Sequence, residues 1–203
     1  DASNYNTAVG FEAGREVTTG ISNILIGGLA GDALTDADYN TAVGTFALTT
    51  DTMGSQSTAF GYGALQNQNF ATAANSFNVA VGIEAGYAVT TGGANTLIGG
   101  QAGNAITTGT TNTLCGYQTG TYQNDIITGT ANVIFGAYST GTSTSANDQH
   151  GFGYNLDCAA NFTTLGAGTS DSRLAHGGTT WATISDERYK KDIVDSTAGL
   201  AFI

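Results

Sequence analysis

The chain contains no proline, two cysteines and few charged residues. Only 10% of its 203 residues are charged, whereas an ordinary soluble globule has about 25%. Cys115 and Cys158 are too few to indicate a disulfide framework. No run of about 18 apolar residues is present, so the sequence predicts no membrane-spanning helix. With 30 glycines in a regular pattern, the composition is also too apolar for a disordered linker.

Positive charge is almost absent from most of the chain. Residues 1–172 contain Arg15 as their one base and have a net charge of −11, whereas residues 173–203 are neutral overall. A surface of this sign cannot neutralise nucleic-acid phosphates, and it repels anionic membranes. We therefore expect no nucleic-acid partner and no membrane insertion.

A short repeat fills the chain instead. The phrase NTLIGGQAG at residues 95–103 recurs with variations, in steps of 17, 17, 17, 21, 17, 17, 20, 17 and 13 residues. The ten copies begin at Asn6, Asn23, Asn40, Ser57, Asn78, Asn95, Asn112, Asn132, Gln149 and Phe162. So short and regular a period predicts a solenoid. We expect an all-β parallel β-roll of about ten coils over residues 1–170, as a rod about 45 Å long.

Each repeat position has a physical meaning. The residue three places after the start is apolar and the next is always glycine, which indicates a short strand ending in a turn. The glycine is predicted to supply a positive φ or a close backbone approach. The leading asparagine is predicted to hydrogen-bond with its equivalents in neighbouring coils. A recurring V/ITTG segment, as at Val17 and Ile106, predicts a further strand, so that each coil has two or three.

The first strand of each coil is apolar at two adjacent positions. The residue before the apolar position is also apolar in most copies, as in Leu25–Ile26 and Leu97–Ile98. Since adjacent strand residues face opposite sides, both faces of this strand should be covered. The expected cover is another copy of the chain, and the alternative is a loop of the same chain.

Two longer segments interrupt the period. The loop Gln66–Phe77 adds four residues and Thr121–Ala131 adds three; both are candidates for receptor contact, because insertions in solenoids usually lie on one face. After the array, residues 171–184 are predicted to be a linker. Asp1 lies so close to a repeat that we expect the true N-terminus to lie upstream.

Residues 185–203 predict a short helix. Ser185 is a suitable N-cap, and Asp186 and Glu187 follow in the first turn. Ser185 and Lys190 also have the residue types of a nucleophile and a general base. From spacing alone, a capped amphipathic helix with a solvated lysine is the favoured interpretation of the pair.

Other apparent sites are weaker. Asp32, Asp36 and Asp38 are either a calcium site or solvated loop acids. His150 and His176 are far apart in sequence, so no zinc site is expected. We expect no cofactor. Paired threonines, which could form a flat ice-binding face or simply an exposed edge, occur at Thr18–Thr19, Thr90–Thr91 and Thr107–Thr108.

Two features resemble known families. The repeats NTAVGxxAG and NTLIGxxAG resemble the left-handed parallel β-roll repeats of trimeric adhesin heads, and more closely those of bacteriophage tail fibres. The segment SDERYKKDI, which begins at Ser185, is similar to the opening of the intramolecular chaperone domain of phage fibres and tailspikes, the peptidase S74 family. Only 19 residues of that longer domain are present, so either the sequence is cut short or the tail is a remnant that stays attached.

The resemblance implies a function. It implies a homotrimeric structural fibre in the virion tail, extracellular, whose partners are other tail proteins and a host-surface receptor, possibly a glycan. It also implies self-cleavage between Ile184 and Ser185, with Ser185 and Lys190 as the dyad. Equal chain lengths on a gel for a full precursor and for its Ser185→Ala variant would rule this out. The alternatives are a bacterial surface adhesin head, a self-cleaving S74-type precursor fragment and an ice-binding solenoid.

Overall fold

A computed structural model of the chain describes residues 4–122, 125–168, 170–180 and 182–183. In these residues the protein is all-β and contains no helix, and so none that could cross a membrane. The chain winds into a parallel β-solenoid of about nine turns with a repeat of about 17 residues. The predicted C-terminal helix at 185–203 lies outside the described residues.

One sheet of twelve strands runs the length of the solenoid. Its parallel strands are β1 (Thr7–Val9), β2 (Ile24–Ile26), β3 (Thr41–Val43), β5 (Thr58–Phe60), β7 (Val79–Val81), β8 (Thr96–Ile98), β9 (Thr113–Cys115), β10 (Val133–Phe135), β12 (Gln149–Tyr154) and β14 (Phe162–Ala167). Successive strands pair in register, position for position, so every repeat position forms a row along the rod.

Most coils contain a single strand of three residues. The V/ITTG segments are bends rather than strands, so the prediction of two or three strands per coil is wrong for most of the array. A second short ladder forms only where β4 (Gly54–Ser55) pairs with β6 (Ala74–Asn75) and where β11 (Thr140–Gly141) pairs with β13 (Asp157–Cys158). The remaining polypeptide turns too often, with left-handed residues in every coil, to sustain longer strands.

The array ends in an antiparallel extension. The tenth repeat supplies β14 but no complete further coil, because the chain reverses and β15 (Ser170–Ala175) pairs antiparallel with β14. Strand β16 (Ala182–Thr183) then pairs with β15. Strand β15 begins at Ser170, one residue before the range 171–184 that was predicted as a linker, and β16 lies inside that range.

The interior is thin and apolar. The middle residue of each three-residue strand points inward, and from β2 onwards these side chains are fully buried, as Leu25, Ala42 and Leu97 show. In β12 the inward residue is Gly151, where an added Cβ would lie 2.1 Å from Cys158 Sγ. The thiol fills this gap, which gives Cys158 a structural place that the sequence did not indicate.

A ladder of buried asparagines joins the coils. Asn95 N donates to Asn78 Oδ1 at 2.9 Å, and Asn112 N donates to Asn95 Oδ1 at 3.1 Å. Each Nδ2 also donates to a backbone carbonyl near the end of its own coil, as Asn95 does to Gly109 O at 2.9 Å. The predicted amide ladder is confirmed, and it satisfies buried backbone groups that have no strand partner.

The ladder changes where the first insertion enters. Ser57 replaces asparagine, and Gln68 turns inward to accept from Asn78 Nδ2 at 2.8 Å and to donate to Ser57 Oγ at 2.8 Å and to the buried Asp51 carboxylate at 2.5 Å. Asp51 also accepts from the backbone N of Gly54, at 3.0 Å. This part of the insertion therefore has a structural role.

Candidate functional site: an exposed apolar face

The outer face of the long sheet presents a continuous row of apolar side chains. It consists of the third residue of each three-residue strand and its equivalents in β12 and β14: Val9, Ile26, Val43, Phe60, Val81, Ile98, Cys115, Phe135, Phe152 and Leu165. We call these ten residues the apolar row. Seven of them are between 38% and 59% exposed, so within the described part of the chain no loop covers them.

The apolar row is straight because the strands are in register. Val81 pairs with Ile98, and Ile98 with Cys115; near the end, the rings of Phe135 and Phe152 stack in parallel with centroids 5.5 Å apart. With strands about 4.8 Å apart, ten positions span roughly 43 Å. An uncovered apolar surface of this length is unusual on a monomeric protein and marks an interaction surface.

The row beside it carries almost no charge. It consists of the first residue of each three-residue strand and the equivalents of that residue in β12 and β14, all of which point outward on the same face: Thr7, Ile24, Thr41, Thr58, Val79, Thr96, Thr113, Val133, His150 and Thr163. His150 is its single ionisable side chain, and burial, followed by the nearby charge of His176, lowers its pKa below the usual value. The face is therefore neutral at pH 7, although the array as a whole is strongly acidic.

The acids of the array lie elsewhere and have separate partners. Asp36 accepts from Thr19 Oγ1 at 2.6 Å, Asp38 accepts from the Ile21 N–H at 2.8 Å, and Asp32 lies 3.5 Å from an Arg15 nitrogen. The three carboxylates proposed as a calcium site are thus engaged by neighbouring coils. No group of three or more metal-ligating side chains occurs among residues 4–122, 125–168, 170–180 and 182–183.

Two histidines that are far apart in sequence meet in the structure. Antiparallel pairing of β14 with β15 brings His176 to His150, with ring centroids 4.5 Å apart. The prediction that the two histidines are isolated is therefore wrong. Only the reversal of the chain after Gly168 makes them neighbours.

The paired threonines lie in bends. The first threonine of a pair uses its hydroxyl to reach the next coil, as Thr90 Oγ1 does to Thr107 O at 3.1 Å. The row is interrupted where Met53 and Phe70 replace the second threonine. It is therefore not a continuous flat threonine face.

The second insertion places an aromatic ring on the surface. Tyr122 contacts Tyr138 with centroids 5.0 Å apart, beside a cleft described below. Ser185 and Lys190 lie outside the described residues, so the proposed dyad stays a prediction.

Comparisons of the chain with protein-family models, with curated proteins and with solved structures found no match.

Proposed function

We propose that this chain is a segment of a homotrimeric attachment fibre, in which three copies pack through the apolar row and its neighbouring first-position residues. The observation that carries the proposal is an uncharged apolar face that runs the full length of an acidic rod. At this face copies of the chain can approach one another without like-charge repulsion, whereas the rest of the surface disfavours association. Burial of the row supplies the driving force.

The architecture suits a mechanical role. Each coil contacts only its neighbours, and two internal ladders of glycine and asparagine repeat along the rod. Amide side chains also donate to carboxylates in neighbouring coils, as Gln101 does to Glu84 at 2.8 Å and Gln68 to Asp51 at 2.5 Å. A rod of this kind can act as a spacer of fixed length between the two structures attached to its ends, which is the mechanical role of a fibre.

The resemblance of the repeats, and of the segment beginning at Ser185, favours a bacteriophage tail fibre that places the virion on a host surface. It implies contact with other tail proteins at the ends and with a receptor along the rod. A bacterial adhesin head would share the same trimer. A membrane-anchoring β-barrel encoded in the complete gene would favour the bacterial origin.

The mass of the native particle tests the trimer. Light scattering should give three times the chain mass of 20.5 kDa. The double variant Val81→Asp/Ile98→Asp places charge at two adjacent positions of the apolar row and should give a folded single chain, because a buried unpaired carboxylate at the interface costs several kcal/mol.

A matched control exists in the same two coils. Thr91 and Thr108 are exposed in bends away from the sheet, so Thr91→Asp/Thr108→Asp adds the same charge and should leave the particle mass unchanged. A parent chain that is monomeric at micromolar concentration would refute the proposal. Equal dissociation of both double variants would show that total charge, and not the apolar row, decides assembly.

A further inference from the structure

Four tyrosines gather beside the second insertion. Tyr117 follows the glycine directly after β9, Tyr138 lies in the turn after β10, and Tyr154 is the last residue of β12. Tyr138 contacts Tyr117 and Tyr154 edge-to-face, with ring centroids 5.5 Å and 5.8 Å apart, and it contacts Tyr122 at 5.0 Å. The four rings form one aromatic cluster.

The cluster borders a cleft of about 360 Å³, lined by Tyr122, Tyr138, Tyr154 and Asn155. This volume lies within the range of about 300–1,000 Å³ that small-molecule sites occupy. Tyr122 and Tyr154 remain 38% and 56% exposed, so their rings are accessible to a ligand. The described lining residues combine three aromatic rings with their hydroxyls and one amide, and none of them is a carboxylate, a histidine or a cation.

The repeat itself explains why the cleft occurs here. Phe46 and Tyr62 occupy the repeat positions of Tyr138 and Tyr154 and form the same edge-to-face pair, with centroids 5.8 Å apart. The stretch that corresponds to the second insertion there consists of Asp32 and Ala33 and has no ring. The insertion that supplies Tyr122 therefore adds a third aromatic ring to an edge-to-face pair that the array also forms at Phe46 and Tyr62.

We propose that the Tyr122–Tyr138–Tyr154–Asn155 cleft binds an uncharged sugar ring. A pyranose has one apolar face of C–H groups, which packs on the electron-rich face of an aromatic ring. It also has an edge of hydroxyls that both donate and accept, as do tyrosine hydroxyls and the asparagine amide.

The charge of the array selects against acidic sugars. No lysine or arginine occurs between Arg15 and Arg173. Arg173 is itself engaged, because it lies 3.5 Å from the Asp171 carboxylate and donates to the Asp157 carbonyl at 2.7 Å, and the acids of the array repel a carboxylate. A neutral hexose or N-acetylhexosamine therefore fits the cleft, and a sialic acid does not. The role of this site as the receptor contact of an attachment fibre rests on the proposed function. Sugar binding itself does not require the trimer, because all four lining residues come from one chain.

Ligand-observed saturation-transfer NMR on the native protein tests the proposal. The probes are the methyl glycosides of glucose, galactose and N-acetylglucosamine, with N-acetylneuraminic acid as the charged comparison. At least one neutral glycoside should bind with a millimolar dissociation constant, and N-acetylneuraminic acid should not. Tyr122→Ala and Tyr154→Ala should each weaken binding at least roughly tenfold, and Tyr154→Phe should retain part of it because the ring remains.

Tyr62→Ala is the matched control, because it removes an equally placed tyrosine from the pair that has no third ring. It should leave sugar binding unchanged. The proposal is overturned if no neutral glycoside binds at about 10 mM, if Tyr62→Ala weakens binding as much as Tyr154→Ala, or if N-acetylneuraminic acid is preferred.

The particle mass of the same samples separates the two proposals. A trimer that binds no neutral glycoside would overturn the sugar site and leave the fibre standing. A single chain that binds glycoside through Tyr122 and Tyr154 would overturn the trimer and leave the site standing.

Discussion

At the scale of the residue, two separate constraints require glycine at the end of each three-residue strand: its backbone conformation and its contact with the next coil. Gly27 has φ +133°, a conformation that side chains with a Cβ rarely adopt, and an added Cβ would lie 2.6 Å from the Gly44 carbonyl oxygen in the next coil. Both of the reasons that the sequence offered for this glycine, the positive φ and the close approach, are therefore confirmed. The neighbouring Gly28 has neither constraint, because its nearest contact would be Thr45 at 3.8 Å.

We expect Gly27→Ala to destabilise the solenoid by about 3 kcal/mol, the sum of backbone strain and a contact that the stacked coils cannot relax. The shift in the midpoint of urea unfolding measures this change. Gly28→Ala is the control and should shift the midpoint little. Similar midpoints for the two variants would mean that the coils can separate locally, contrary to the close packing described here.

At the scale of the element, the asparagine ladder connects coils that have little strand between them. A strand of three residues provides few ladder bonds, so buried asparagines supply the acceptors that a longer strand would provide. Asn95 Oδ1 accepts from both the backbone N and the Nδ2 of Asn112, each at 3.1 Å. Without Asn95 the backbone N of Asn112 loses this acceptor, and Asn112 Nδ2 keeps only the Gly129 carbonyl, at 2.9 Å.

We therefore expect Asn95→Ala to cost about 2–4 kcal/mol, because buried donors left unsatisfied cost about 1–3 kcal/mol each. Hydrogen exchange should also become faster at the amide of Asn112 than in the parent protein. Thr108→Ala, an exposed change in the same coil, should stay within about 0.5 kcal/mol. Unchanged protection at Asn112 would show that water replaces the lost acceptor.

The space inside each coil is divided between the inward residue of the strand and the residue eight places after the start of the repeat. The residue eight places after each start is glycine in five of the ten copies, and a Cβ on Gly103 would lie 2.8 Å from Leu97 Cδ2. In the coils of Ala42 and Ala59 the same position holds Leu48 and Leu65, fully buried and with φ of 53° and 50°. In the coil of Ala80 it holds Gly86, where a Cβ would lie 2.7 Å from Leu97 Cδ1 of the next coil. The left-handed backbone is therefore kept even for leucine.

At the scale of the whole molecule, the two cysteines report on assembly. Cys115 belongs to the apolar row and is half-buried in the single chain, so a trimer should cover it. Cys158 lies in the interior, and burial raises the pKa of its thiol to about 12. Because the thiolate is the reactive form, Cys158 should be inert to iodoacetamide at about pH 8 in any folded state.

We expect neither cysteine to be alkylated in the native parent protein. Cys115 alone should react in Val81→Asp/Ile98→Asp, and both should react after denaturation; the mass of the labelled chain distinguishes these outcomes. Rapid labelling of Cys115 in the parent protein would show that the apolar row is open to solvent. Labelling of Cys158 in folded protein would contradict its burial.

The sequence by itself determined the solenoid, its period of about 17 residues, the register of its rows and the ladders of glycine and asparagine. All of these follow from positions that repeat in every coil, because stacking equivalent residues is the only way in which each coil can bury its apolar side. Alternation at Leu25 and Ile26 predicted that one side chain faces the interior and the other faces outward, and the structure shows that Leu25 is the inward one.

Only the tertiary structure decided what happens where the repeat fails. It reduced most coils to one strand, turned Gln68 inward, placed Cys158 beneath Gly151 and brought His150 to His176. It also assembled a cleft from Tyr122, Tyr138 and Tyr154, which lie in three different coils. Such contacts depend on how inserted residues and the final hairpin fold against neighbouring coils, and a non-repeating segment carries no periodic signal of its partner.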